Sequence, residues 1–189
     1  MARIPYPRPD EYPPALSALL AKMPRVGVIE MLAHAPRLAE DLLRLLQAQF
    51  TSLELSLRHR ELLILTVAGK IGCEYEYQQH VPISTAAGVE AALREALWAG
   101  NLDGAPPLSD DDGTLVEFVG LIVDSPKIDE DTFARVRSHF SDREIVEILQ
   151  LTGCYWGLGR LCTILDVDVE FSDNLDAING ISNLPGATD

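Results

Sequence analysis

Residues 61–80, ELLILTVAGKIGCEYEYQQH, restrict the fold of this chain more than any other stretch. An apolar run from Leu62 to Ala68 passes through Gly69 and Gly72 to Cys73, where the composition turns to Glu, Tyr, Gln and His. On a helix of 3.6 residues per turn, Cys73, Glu76 and His80 share one stripe. Glu61 precedes the cysteine by twelve residues, so an unbroken helix would rotate it about 120° away from that stripe. The glycines resolve the conflict. One helix ending near Gly69–Gly72 and a second beginning at Cys73 return Glu61 toward the same pocket. A thiol at the start of the second helix feels the positive end of its dipole, which favours thiolate. A carboxylate, a thiol and an imidazole are the parts of a proton-transfer or thiol site.

The rest of the sequence is consistent with a helical protein around that stretch. A chain of 189 residues fits one domain with a sizeable core, and 47% hydrophobic residues is ordinary for a folded soluble protein. A net charge of −14 argues against nucleic acid and anionic membrane surfaces as partners, because phosphates would be repelled. Cys73, Cys154 and Cys162 form no dense framework, and MARIPYPRPDEYPP has no apolar signal core. Without a run of about 18 uncharged apolar residues, no membrane helix is expected. The expectation is a soluble, cytoplasmic protein with reduced thiols.

Five prolines in residues 1–14 give an extended arm that supplies neither helix nor central strand. Helices are expected over Ala15–Lys22, stopped by Pro24, in the second half of Val26–Ala33, and from Pro36 to about Phe50. The last buries Leu38, Leu42, Leu45, Leu46 and Phe50. Ser56 is placed as the N-cap of the helix that carries Glu61. Arg60 is assigned to the surface or an interface, and His34, His59 and His139 to structural roles. Pro82 should end or kink the helix bearing His80. Further helices are expected over Glu90–Ala99 and Leu115–Val123, the second capped by Ser109 with Asp110, Asp111 and Asp112 in its first turn. Asp129–Phe140 and Asp142 to about Leu165 follow, the latter opened by a Ser141–Glu144 capping box. Cys154 and Cys162 are read as core fillers. Ser172–Asp189 reads as a flexible tail. The fold class is therefore all-α, with one helical domain over residues 15–171.

The pattern Glu61–x11–Cys73–x2–Glu76–x3–His80 resembles the carboxymuconolactone decarboxylase and alkylhydroperoxidase D-like family. Its peroxidase branch carries a second cysteine where this chain has Glu76. The resemblance implies an all-α bundle, catalytic roles for Glu61, Cys73 and His80, and a substrate-binding role for Glu76. It also implies a homo-oligomer, a trimer or hexamer, with a small-molecule substrate.

Replacement of the second cysteine favours cofactor-independent acid–base chemistry of the decarboxylase type on a small carboxylated, lactone-like molecule. His80 would donate the proton, with Glu61 as its partner. The alternatives are a thiol-dependent peroxidase using Cys73, and a non-catalytic small-molecule binding protein. Cys154 or Cys162 replaces the missing thiol only if folding brings it to Cys73. No metal is expected, since Cys73, Glu76 and His80 have no fourth ligand in sequence.

Overall fold

The computed structural model describes residues 1–21 and 26–169. Its central helix, α4 (Leu57–Ile71), begins where the Ser56 hydroxyl accepts a hydrogen bond from the His59 amide at 3.1 Å. From Arg60 to Ala68 every residue of α4 is buried, which a helix achieves only by packing on several sides. It lies against α5 (Glu74–Ala86), α6 (Ala91–Ala99) and α7 (Asp110–Asp124). Close approach to α6 is set by Gly69, where any Cβ would collide with the Leu97 carbonyl. These helices belong to a compact unit, Glu54–Thr163, which also holds α8 (Glu130–His139) and most of α9 (Asp142–Leu165). No strand occurs among the described residues, so the fold is all-α, as expected.

Two caps fall where the sequence placed them: Ser109 accepts from the Asp112 amide at 3.3 Å, and Ser141 and Glu144 form the reciprocal capping box of α9. Asp129, expected as the first residue of its helix, is the cap of α8. Pro82 does not end α5, which runs four residues further to Ala86. Beyond the proline the Ser84 and Thr85 hydroxyls both hydrogen-bond to the Val81 carbonyl. On α9 the stripe Ile148, Leu151, Tyr155, Leu158 and Cys162 is buried at helical spacing, while Val146, Leu149 and Trp156 remain exposed.

A second compact unit contains Met1–Leu53 and the described residues from Ile164 onward. Its helices are α1 (Pro14–Leu20), α2 (Gly27–Leu32) and α3 (Pro36–Thr51). The proline-rich segment departs from expectation in two ways. A 3-10 turn forms at Pro9–Glu11, and Pro14 starts α1, because a proline in the first turn forfeits no helical hydrogen bond. The segment is also tethered, through His34 Nε2 to the Pro5 carbonyl at 2.8 Å and Tyr12 to the Pro7 carbonyl at 3.1 Å. On α3 the buried face is Ala39, Leu43 and Leu46, and Leu38 is 70% exposed. Leucines at 38, 42, 43, 45 and 46 define two overlapping stripes, and packing selected the one rotated by a residue. The expected stop of α1 at Lys22–Pro24 and the expected tail at Ser172–Asp189 lie outside the described residues. Among the described residues no helix is long and apolar enough to cross a membrane.

Candidate active site

The break between α4 and α5 builds the site. Gly72 adopts the left-handed conformation (φ 64°), and the Cys73 amide returns to the Ala68 carbonyl at 2.9 Å, the hydrogen bond of a Schellman-type helix end. Cys73 then caps α5, its Sγ accepting from the Glu76 amide at 3.5 Å. The reversal sets His80 against Glu61. The imidazole Nδ1 lies 2.8 Å from Glu61 Oε2, and the other ring nitrogen, Nε2, lies 3.7 Å from Glu76 Oε2. One imidazole is thus held between two carboxylates, one from each helix. Glu61 and Cys73 are 0% exposed, and Glu76 and His80 are 5% exposed.

Three further residues complete the site, and the sequence reading had placed none of them there. Arg60, assigned to the surface or an interface, is instead buried and donates from Nε to Glu61 Oε1 at 2.9 Å. Neighbours along a helix do not normally face each other; the length of the arginine side chain lets its Nε reach the adjacent carboxylate. Tyr155 of α9 is buried with its ring edge-on to His80, centroids 5.3 Å apart. Cys162, read as a core filler, is buried but points its thiol at Glu76 Oε1, 4.0 Å away. The signal for Tyr155 and Cys162 was their seven-residue separation on the buried stripe of α9. No motif marked either.

The environment pushes the two glutamates in opposite directions. Burial disfavours the charge on Glu61, but His80 and Arg60 outweigh it and hold the carboxyl below its ordinary range. Among the described residues, Glu76 has no such pair of cations. Burial, with Cys73 and Glu61 adding to it, raises Glu76 to about 7 against the pull of His80. The Cys73 thiol is shifted the other way: Cys162 favours its thiolate, and the Glu76 and Tyr75 amides and Arg160 help to outweigh burial. Burial and the two glutamates keep Tyr155 a neutral phenol. Ionised Glu61 beside protonatable Glu76, joined through His80, is an arrangement for moving a proton across a short distance.

A separate polar cluster ties α4 to the start of α7. His59 Nε2 lies 3.3 Å from Asp111 Oδ2 and 3.4 Å from Asp112 Oδ1, and Arg58 Nε donates to Asp112 Oδ2 at 2.9 Å. With a guanidinium already on the buried carboxylate, and Phe140 edge-on to the His59 ring, these groups cross-link two helix ends.

Neither known family models nor curated proteins match this chain. Solved structures do. An uncharacterized peroxidase-related protein from Ralstonia eutropha JMP134, described as an alkylhydroperoxidase AhpD core, superposes with a TM-score of 0.74 at 17% identity, over 89% of this chain and 92% of that one. The chain has the alkylhydroperoxidase D fold. A peroxidase-related protein from Silicibacter sp. TM1040 shares it, with a TM-score of 0.73 at 19% identity over 89% and 92% of the two chains. So does a variant of the debrominase Bmp8 in complex with 2,3,4-tribromopyrrole, at 0.63, 14% identity and 89% of each chain. Within the alkylhydroperoxidase D fold of this chain, the glutamate–histidine pair joins α4 to α5 across the Gly72 break.

Proposed function

We propose that this chain is a cofactor-independent acid–base enzyme of the carboxymuconolactone decarboxylase type, acting on a small carboxylated, lactone-like molecule. The observation that carries the reading is His80 held between Glu61 and Glu76. Decarboxylation breaks a carbon–carbon bond and leaves its electron pair in a dienolate, which must then receive a proton. His80 delivers it. Glu61, kept ionised, orients the imidazole and balances its positive charge, and Glu76, near neutrality in its own titration, resupplies the proton. Cys73 makes and breaks no bond in this chemistry. A homo-oligomer is part of the proposal, supported by the exposed apolar side chains Val146, Leu149 and Trp156 on α9.

Release of carbon dioxide from carboxymuconolactone tests the reading. Turnover that survives Cys73→Ser and is lost in His80→Ala and Glu61→Gln supports it. Turnover that depends on Cys73 and is indifferent to His80 overturns it.

One observation favours a second reading, a thiol-dependent peroxidase. The Cys73 thiol is tuned toward thiolate. The fold does not choose between the two, since it carries peroxidase-related proteins as well as a debrominase. Hydroperoxide consumption with capture of Cys73 as sulfenic acid would move the assignment to this reading.

A further inference from the structure

Beside Glu76 of α5 stands a thiol from a different helix, Cys162 of α9. Gly159 of α9 packs directly on Cys73: a Cβ there would lie 3.4 Å from the Cys73 Cβ and 3.5 Å from its Sγ. Cys162 follows Gly159 by three residues, so it projects from the same face of α9 one turn further on. Its thiol lies 4.0 Å from Oε1 of Glu76 and influences the charge of the Cys73 thiol. Both cysteines are buried, at 0% and 2% exposure, and neither is bridged. Glu76 belongs to both partners, because its own amide donates to Cys73 Sγ at 3.5 Å.

We propose that Cys73 and Cys162 are a cross-helix dithiol that closes to a disulfide by exchange with a small-molecule disulfide, with Glu76 as the proton acceptor of the closing step. The Cys73 thiolate attacks one sulfur of the small disulfide, forming a mixed disulfide and releasing the first small thiolate, which takes up the Cys73 proton. The Cys162 thiol then gives its proton to the Glu76 carboxylate and attacks the Cys73 sulfur. The Cys73–Cys162 bond forms, and the second small thiolate leaves with the proton from Glu76. Two protein thiols are oxidised and one small disulfide is reduced to two thiols. The site thus exchanges two electrons with the thiol pool, and the carboxylate at position 76 serves the remote thiol. A thiolate forms only as fast as its proton is removed, and a buried thiol has no water to take it.

The inference goes beyond the acid–base reading and does not depend on it, because the readout is a covalent link formed with no other substrate present. The full-length chain is incubated with bis(2-hydroxyethyl) disulfide, quenched in acid, alkylated and peptide-mapped. The expected product joins the Cys73 and Cys162 peptides, with Cys154 recovered alkylated. Cys162→Ser, checked by circular dichroism for retained helix, should stop at the mixed disulfide on Cys73. Glu76→Gln should slow closure on the order of tenfold or more, and Glu76→Asp should recover part of the rate. A Cys73–Cys154 link overturns the pairing. So does a wild-type chain whose thiols stay unmodified while the same chain in denaturant reacts. An unchanged closure rate in Glu76→Gln overturns the role of the carboxylate. Failure of carboxymuconolactone turnover leaves every one of these outcomes intact.

Discussion

His80 Nδ1 stands 2.8 Å from Glu61 Oε2, a residue nineteen positions earlier on a different helix. Both side chains are buried, and Arg60 takes the second oxygen of the same carboxylate at 2.9 Å. The consequence is a buried carboxylate with a partner on each of its oxygens.

Glu61→Gln should therefore lower stability by about 3–5 kcal/mol, the cost of breaking a buried ion pair by removing one member. Urea unfolding at neutral pH measures it. The sign with pH follows from the depressed carboxyl of Glu61. Its contribution is present above the ordinary carboxylate range and is lost as pH falls through the depressed folded-state value. The loss caused by Glu61→Gln should shrink as the medium is made acidic. A loss that stays constant down to strong acid would mean that the charge of Glu61 is not what stabilises the fold.

Glu76 has the opposite sign. Its carboxyl is raised from 4.5 to about 7, so the stability it confers is complete below the unfolded value and is lost as pH rises through about 7. The shift corresponds to about 3 kcal/mol. Glu76→Gln removes this titration, so the variant should gain on the wild type by about that amount between pH 4 and pH 8. Paired denaturation curves across that range are the check, and a difference that does not vary with pH refutes the shift.

The two helix–helix contacts at glycine differ in what a methyl group would strike. At Gly69 it meets the Leu97 backbone carbonyl, whereas at Gly159 it meets the flexible end of Ile71. Backbone cannot rotate away, and a side-chain terminus can. Gly69→Ala should cost about 3 kcal/mol, the upper part of the overpacking range. Gly159→Ala should cost about 1 kcal/mol, after the helix-propensity gain of alanine. Thermal denaturation of the two variants gives the order, and equal losses would contradict it.

Gly72 has open space where a Cβ would go, so only its φ of 64° resists substitution. Gly72→Ala should cost about 1 kcal/mol through the left-handed backbone. Ser56→Ala should cost a similar amount, about 1 kcal/mol, by removing the cap on the His59 amide. Equilibrium unfolding of the double variant should show the two losses adding, since the residues sit at opposite ends of α4.

Much of the site could be read from local spacing. Gly72 followed by Cys73 marked the end of one helix and the start of the next. Once that break is placed, Glu76 and His80 fall on one face by helical geometry, four residues apart. Position in the chain was no guide to Arg60, because the same charged side chain serves at a surface or in a core, and only its partner decides. Leu38 shows the same limit in apolar form, since leucine composition allowed two faces of α3 and packing used one.

The sequence by itself determined the helices, most of their caps and the Cys73–Glu76–His80 stripe, because each depends on interactions within one or two turns, and the Gly72 break brought Glu61 to that stripe. Only the tertiary structure decided what surrounds that constellation. Cys162 lies 86 residues from Glu76, and Tyr155 reaches His80 from the same distant helix. No local preference encodes which face of α9 lies on α5. That choice is made by burying the stripe from Ile148 to Cys162, with Gly159 letting the helix come down onto Cys73.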